Sequence, residues 1–270
     1  MRKKSILLFC FLTIFTSIYS QFPYGTTGLL HMPTAEMQKD KTVMLGGSFL
    51  NKNVTPECWN YNTYNYYINV TFLPFIEVSY ACTLNKGKPD GYWPEETWGK
   101  FTNQDRQFSI RLRIIKENQF WKYMPAIVLG GNDITTRDWQ ATNNKNENSG
   151  FGNPLEEGNG HWSRYYIVLT RHFNFTQIGL FGIHAAYLYN KREEYHINGP
   201  AFGGNFRFTI LGNNFLQKTL NGLNLMTEYD SRTINTGIGC SFWKDHINFV
   251  TELNNFKYLS CGIYFKVYLK

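Results

Sequence analysis

Apolar and polar residues alternate along most of this chain with a period of two, the pattern of β-strands that bury or expose one face. The clearest example places Phe108, Ile110 and Leu112 on one face. Arg111 and Arg113 occupy the other face of the same stretch. The alternation predicts about twelve strands, near residues 42–51, 63–72, 75–84, 105–116, 123–131, 162–173, 178–188, 199–209, 220–229, 233–242, 246–254 and 258–269.

The predicted strands have the 9–11 residues, roughly, that a tilted membrane-spanning β-strand needs. Long polar segments follow the first, third, fifth and seventh strands, near 52–62, 85–104, 132–161 and 189–198. Very short turns follow the second, sixth and tenth strands. Long loops on one side and short turns on the other are typical of outer-membrane barrels, and they predict both termini on the periplasmic side. Segment 210–219 departs from this rule, because it is long on the short-turn side.

Aromatic residues make up 17% of the chain and gather near the ends of the predicted strands. The residues concerned are Tyr64, Tyr66, Phe120, Trp121, Tyr123, Trp162, Tyr165, Tyr166, Phe173, Phe175, Tyr187, Tyr189, Phe242, Trp243, Phe256 and Tyr258. Such placement is typical of the two aromatic girdles of a transmembrane barrel. A secreted β-sandwich would also alternate apolar and polar residues and stays the alternative, but the girdles favour an all-β, antiparallel transmembrane barrel.

The first twenty residues have the layout of a secretory signal peptide. Arg2, Lys3 and Lys4 form a basic start, an apolar run follows to residue 19, and Ser20 is a small residue before Gln21. We therefore expect a signal peptide at 1–20. The apolar run is too short to span a bilayer, and no later stretch reaches the roughly 18 apolar residues of a transmembrane helix.

Charge and cysteine content add little specific chemistry. Without the three basic residues of the leader, 24 basic and 20 acidic residues remain, a net charge of +4. No basic cluster stands out, so we expect no nucleic-acid partner. The cysteines after the leader have no metal-ligand spacing, and their disulfide state stays open; they are Cys58, Cys82, Cys240 and Cys261.

Two motifs resemble the YjbH-type outer-membrane family, which is associated with exopolysaccharide production and export. Residues 25–35, GTTGLLHMPTA, are similar to the segment that opens this family, and residues 228–238, EYDSRTINTGI, are similar to its C-terminal hairpin. The resemblance implies an outer-membrane barrel that takes part in exopolysaccharide production, export or surface organisation. It implies polysaccharide and periplasmic export components as partners, besides membrane lipid, and it brings no catalytic residue.

The motif residues also have a physical interpretation of their own. Gly25 and Gly28 permit tight backbone conformations, and Pro33 ends an extended segment because it has no amide donor. Asp230, followed by Ser231 and Arg232, suits a tight turn. We expect structural roles for both motifs, with residues 21–41 forming a short strand or plug-like hairpin and residues 42–270 forming the barrel.

No catalytic site is evident in the sequence, and we expect no enzyme, cofactor or metal. The histidines are scattered, although a Ser–His site assembled in space would not be visible in the sequence. Adjacent acids such as Glu95 and Glu96 are ordinary solvated loop charges. An outer-membrane lipid or glycan hydrolase and a passive porin for small polar solutes remain the alternatives.

Charged residues on the polar strand faces are the candidates for the barrel lumen. These are Glu77, Arg111, Arg113, Arg207 and Glu228. They could neutralise one another and only stabilise the barrel, or line a polar passage that contacts sugars. Aromatic residues in the loops offer rings on which a sugar could stack, namely Tyr92, Trp93, Trp98 and Trp139.

Overall fold

Twelve antiparallel strands form a closed barrel in the computed structural model of this chain. Each strand pairs with its neighbours in the sequence, and β1 closes the barrel against β12. The structure describes residues 21–55, 59–87, 89, 94–134, 162–190, 198–212 and 214–270, so the expected signal peptide lies outside it. The strands are β1 Thr42–Leu50, β2 Thr63–Phe72, β3 Ile76–Lys86, β4 Phe101–Ile115, β5 Ala126–Asn132, β6 Arg164–Phe175, β7 Gly179–Tyr189, β8 Gly199–Phe208, β9 Leu223–Tyr229, β10 Ile234–Phe242, β11 Ile247–Asn254 and β12 Tyr258–Tyr268.

The prediction of an all-β antiparallel barrel with about twelve strands is confirmed. The predicted and observed strands differ mostly at their ends. The largest difference is β4, which begins at Phe101 because its first residues continue the ladder with Leu84–Lys86 of β3. The alternation of apolar and polar residues starts only near residue 105, so the pairing with β3 alone extends the strand back to Phe101.

Helical structure in the described part of the chain is limited to a 3-10 turn at Glu95–Thr97 and to helix α1, Phe215–Asn221. Helix α1 lies in the connection between β8 and β9, the long segment on the short-turn side. Among the residues that the structure describes, no helix is long and apolar enough to cross a membrane.

The outer surface of the barrel is an apolar belt. At mid-strand, Ile68, Ile110, Ile167 and Phe249 are each exposed by 40–43%, while the residues beside them in sequence are turned inward and mostly buried. A closed ladder leaves no unpaired strand edge, and a broad apolar exterior is stable only in lipid. The chain is therefore an outer-membrane β-barrel and not a secreted sandwich.

Three of the expected girdle residues do not lie on the outer face of the barrel. Tyr258, at the start of β12, is in phase with the inward-facing Ser260 and is half-buried. Trp162 and Tyr166 are only 1% and 5% exposed. Tyr166 alternates with the outward-facing Tyr165 and therefore points into the barrel. Trp162 precedes β6 and packs edge-on against Tyr24, with 5.9 Å between the ring centroids.

Candidate functional site

Residues 21–38 lie inside the barrel, and every one of them is buried. We call this segment the plug. The plug leads into β1 at the end of the barrel where β1 begins and β12 ends. There the Lys41 N–H donates to Thr71 O at 3.0 Å, and the Leu269 N–H donates to Lys41 O at 2.9 Å. Most of the plug's backbone groups have no partner strand, so the barrel wall must supply their hydrogen bonds.

A tight turn forms the tip of the plug. Gly28 and Pro33 form an antiparallel bridge, and the Leu29 N–H donates to Met32 O at 3.0 Å. Gly25, before the turn, has φ of 66°, and a Cβ there would lie 2.4 Å from Tyr67 Cγ. Both the left-handed backbone and the contact with Tyr67 require glycine. Gly25, Gly28 and Pro33 are therefore plug residues that shape its backbone.

The plug also buries apolar side chains against inward-facing barrel residues. The apolar cluster on one side contains Phe22, Tyr24, Leu29, Leu30, Met44, Leu50, Trp59, Tyr67, Ala81, Trp162, Met226, Val250 and Tyr264. At the loop-side end, Trp59 meets Trp162 edge-on and the guanidinium of Arg164 lies 3.7 Å above the ring of Tyr24. The plug thus fills the described part of the lumen with a mixed polar and apolar core.

Glu77 binds the first part of the plug. Its carboxylate accepts from the Thr27 N–H at 2.6 Å and from the Thr27 hydroxyl at 2.7 Å. Arg111, on the neighbouring strand β4, donates to both Glu77 oxygens at 3.1 and 3.0 Å. The other arm of the guanidinium donates to Thr34 O and Glu36 O. A buried ion pair therefore supports two separate stretches of plug backbone.

Glu228 binds the tip of the plug. Its carboxylate accepts from the N–H groups of Leu30 at 3.0 Å, His31 at 2.7 Å and Met32 at 3.3 and 3.2 Å. His31 Nε2 lies 2.8 Å from a carboxylate oxygen of Glu252 on β11. Burial lowers the pKa of His31, but Glu252, with smaller effects of Glu228 and Asp230, raises it overall to about 9. His31 is therefore a cation at neutral pH, surrounded by acids of the barrel wall.

Glu36 binds the last part of the plug to the opposite wall. Its Oε1 accepts from Arg207 Nη2 at 2.5 Å and contacts His172 Nε2 at 3.0 Å. Burial alone would raise the pKa of Glu36, but Arg207 and His172 hold it well below its usual range. His172 Nδ1 in turn contacts Glu117 at 2.7 Å, in the turn between β4 and β5. The contacts from Glu36 through His172 to Glu117 thus connect the plug to the turn side of the barrel.

The structure brings together most of the charged residues predicted for the lumen. Glu77, Arg111, Arg207 and Glu228 are buried inside the barrel, and all four contact the plug or its ion pairs. Arg113, two residues nearer the turn side than Arg111, is half-buried. Asp230 shapes the turn after β9, where its carboxylate accepts from the Arg232 and Thr233 N–H groups at 2.9 and 2.7 Å.

Of the predicted loop aromatics, Trp98 is the one that lies among the described residues. Trp98 is 40% exposed beside the 3-10 turn. Tyr92, Trp93 and Trp139 lie outside the described residues, as does Cys58. Of the other cysteines, Cys82 is buried, Cys240 is half-buried and Cys261 is exposed, each as a free thiol.

Sequence reasoning missed several residues that hold the plug. Glu252 lies on the polar face of its predicted strand, so its phase could have identified it. Asn69 also lies on the polar face and donates to Gly25 O at 3.0 Å. Glu36 and His31 could not be assigned to the inward or outward face of a strand, because the plug is irregular. No pattern in the sequence points to their partners.

One group of side chains has the order of a nucleophile, a histidine and an orienting amide. Thr170 Oγ1 lies 2.9 Å from His184 Nδ1. The side-chain amide of Asn205 lies 3.0 Å from His184 Nε2, with its nitrogen toward the ring in the orientation that also lets Arg207 donate to its oxygen. The same hydroxyl accepts from the Ala35 N–H of the plug at 2.7 Å. All three side chains are buried beneath the plug. Within the described residues, no group of three or more His, Cys, Asp and Glu side chains is arranged to hold a metal ion.

Three solved structures of outer-membrane proteins are similar to this chain at low sequence identity. An outer-membrane channel from Pseudomonas putida F1 covers 88% of this chain and 98% of its own at 7% identity, with a TM-score of 0.42. The outer-membrane phospholipase dimer of Salmonella typhi, solved with bound calcium, covers 84% of this chain and 90% of its own at 12% identity, with a TM-score of 0.35. The Escherichia coli outer-membrane phospholipase A covers 87% and 98% at 11% identity, with a TM-score of 0.35.

The comparison with curated proteins gives no match. A family model described as the exopolysaccharide biosynthesis protein YbjH, of the YjbH family, matches residues 20–143. The matched residues include the motif at 25–35, the whole plug and strands β1 to β5, whereas the motif at 228–238 lies outside them. The resemblance to the YjbH exopolysaccharide biosynthesis family is thus confirmed for residues 20–143, within a chain that folds as a closed outer-membrane β-barrel.

Proposed function

We propose that this barrel takes part in exopolysaccharide production or export at the outer membrane, as a passage that the plug closes and that opens when the plug is displaced. The observation that carries the proposal is the way in which the barrel holds the plug. Glu77, Arg111 and Glu228 bind its backbone through charged hydrogen bonds. Such groups would bind water or sugar hydroxyls equally well once the plug has moved.

The same wall carries several buried amides, which are also suited to a hydroxyl-rich chain. Asn205 and Asn224 contact each other at 3.0 Å, and Asn235 and Asn254 contact each other at 2.7 Å. The family match at residues 20–143 adds exopolysaccharide as the class of cargo. In this proposal the protein performs no catalysis, and the periplasmic export components deliver the polysaccharide to the barrel.

Locking the plug in place tests the proposal directly. Ala35 and Thr170 are the candidate positions, because the hydrogen bond of 2.7 Å from the Ala35 backbone nitrogen to Thr170 Oγ1 shows that the two residues are in contact. We expect Ala35→Cys/Thr170→Cys, with the disulfide formed, to lose polysaccharide yield in a strain that lacks the native gene. The single variants Ala35→Cys and Thr170→Cys should retain the yield and serve as matched controls. All variants carry serine at Cys58, Cys82, Cys240 and Cys261.

Full yield from the locked protein would contradict the proposal, provided that mass spectrometry verifies the disulfide. Planar-bilayer conductance distinguishes the proposed passage, which the plug closes, from a passive porin. We expect the native protein to be mostly closed and Glu228→Ala, which loses the acceptor for three plug amides, to open more often. A steady conductance of the native protein, together with polysaccharide yield that is independent of the gene, would favour the porin.

The group Thr170, His184 and Asn205 is the specific observation that favours a hydrolase as the second candidate. Its test is release of sugar or fatty acid by the purified barrel in lipid. We expect no release from the native protein or from His184→Asn. Release that His184→Asn abolishes would replace our proposal with the hydrolase.

A further inference from the structure

The connection between β8 and β9 presents an unusual apolar surface on the turn side of the barrel. We call residues 209–212 and 214–222, which include helix α1, the hook. Its large apolar side chains are more exposed than those of the mid-belt: Phe215 by 82%, Leu216 by 73% and Leu211 by 64%. Mid-belt residues such as Ile167, at 42%, are partly shielded by their neighbours in the sheet.

The hook is fixed to the barrel at both ends. The Thr209 N–H donates to Ile178 O at 3.1 Å, and the Ser241 N–H donates to Gly222 O at 2.8 Å. Inside the hook, the Asn221 side chain closes the connection by donating to Ile210 O at 2.9 Å and accepting from the Ile210 N–H at 2.7 Å. The apolar side chains therefore project from a tethered element with internal hydrogen bonds.

Helix α1 has one apolar and one polar face. At 3.6 residues per turn, Phe215, Leu216 and Leu220 fall on one side, and Lys218 falls on the other. The hook contains Lys218 as its only charged residue. An apolar face with a cation and no acid suits the boundary between phospholipid headgroups and acyl chains.

Exposed apolar residues of the barrel rim flank the hook on both sides. Ile178, whose carbonyl accepts the hydrogen bond from the Thr209 N–H, is 59% exposed. Trp243, two residues after Ser241, is 74% exposed. The hook thus continues the lipid-facing belt at its turn-side edge. We propose that Leu211, Phe215 and Leu216 insert into the phospholipid of the periplasmic leaflet and that the hook anchors this sector of the barrel in the membrane.

Nitroxide labels at single cysteines test this proposal in nanodiscs of phosphatidylethanolamine and phosphatidylglycerol. The variants Phe215→Cys and Leu216→Cys are compared with Ile178→Cys as the belt control and with Lys218→Cys on the polar face. Native cysteines at 58, 82, 240 and 261 are replaced by serine, and heat-modifiable gel mobility verifies that each variant is folded. Power saturation gives the accessibility of each label to oxygen, which enters lipid, and to a nickel chelate, which stays in water.

We expect the oxygen-to-nickel ratio at Phe215 and Leu216 to approach that at Ile178 and to exceed clearly that at Lys218. Ratios as low as at Lys218 would overturn the proposal, because the face would then lie in water. Protection from both reagents would also overturn it, since the hook would then be covered by protein, either a second copy or a periplasmic partner.

Discussion

At the scale of single residues, the buried charges of this barrel compensate for the irregular backbone of the plug. A buried segment without a strand ladder must find acceptors for its N–H groups elsewhere. One carboxylate can accept several hydrogen bonds at once, so Glu228 alone serves three consecutive residues of the tip. An asparagine or serine at that position would offer fewer acceptor sites.

Arg111 is the residue whose loss should affect the plug most. Arg111→Met would leave the Glu77 carboxylate buried without its guanidinium, and two plug carbonyls would lose their donor. Removing one partner of a buried pair costs about 3–5 kcal/mol. We expect a loss of this size in the free energy of unfolding, measured by urea titration of the barrel in lipid vesicles.

The double variant Glu77→Gln/Arg111→Met should cost clearly less than the two single variants added together, because it removes both charges. Arg106→Met, at an exposed position of the same strand, should change stability little and serves as the control. An unfolding free energy of Arg111→Met close to that of Arg106→Met would contradict this account of the plug.

At the scale of the element, the plug depends on opposite charges at its tip, where His31 lies, and in its last part, where Glu36 lies. His31 faces Glu252, with Glu228 and Asp230 nearby, and its pKa is raised to about 9. Its stabilising contribution is therefore complete below the usual histidine pKa of about 6.5 and is lost as pH rises through 9. Glu36 behaves in the opposite way, because its lowered pKa makes its contribution complete above its ordinary value and lost as pH falls further.

We expect the native protein to lose stability between pH 7 and pH 10, by at most about 3 kcal/mol from the shift of His31. His31→Gln should lack most of this alkaline loss, because the glutamine side chain does not titrate. Urea titrations at the two pH values measure the difference. Lys52→Gln, which removes an exposed base in a loop, should retain the loss; equal losses in His31→Gln and the native protein would contradict the assignment.

At the scale of the whole molecule, the belt and the closed ladder commit the chain to lipid. Leu169 lies on the outer face of β6, midway between the aromatic residues Tyr165 and Phe173, and is 37% exposed. A charge at the middle of the lipid-facing surface is costly, whereas a charge at the rim is tolerated. The position of a residue along the strand should therefore decide the cost of the same substitution.

Leu169→Arg should destabilise the barrel by about 2–4 kcal/mol, and Tyr64→Arg at the loop-side rim by about 0–1 kcal/mol. Folding into phospholipid vesicles, followed by heat-modifiable gel mobility, gives both values. Leu169→Ala controls for the lost side chain. Equal costs for the two arginine variants would mean that these surfaces do not lie at different depths in a bilayer.

The strand pattern was predictable in detail because alternation is a local property of the sequence. Strand β2, for example, begins and ends where the alternation of Thr63–Phe72 does. The same alternation brought Glu77, Arg111 and Glu228 to the inward face. The alternation gave the wrong side for Trp162, because this residue precedes β6 and does not belong to the alternating pattern of the strand.

The sequence by itself determined the barrel, its twelve strands and the family resemblance, because periodicity and motifs depend only on neighbouring residues. It allowed a plug-like hairpin at residues 21–41 but gave no partner for it. Only the tertiary structure decided that Glu228 binds the tip and that Glu36 meets Arg207 and His172. These contacts join residues more than 130 positions apart, since closure of the barrel brings distant strands around one short irregular segment.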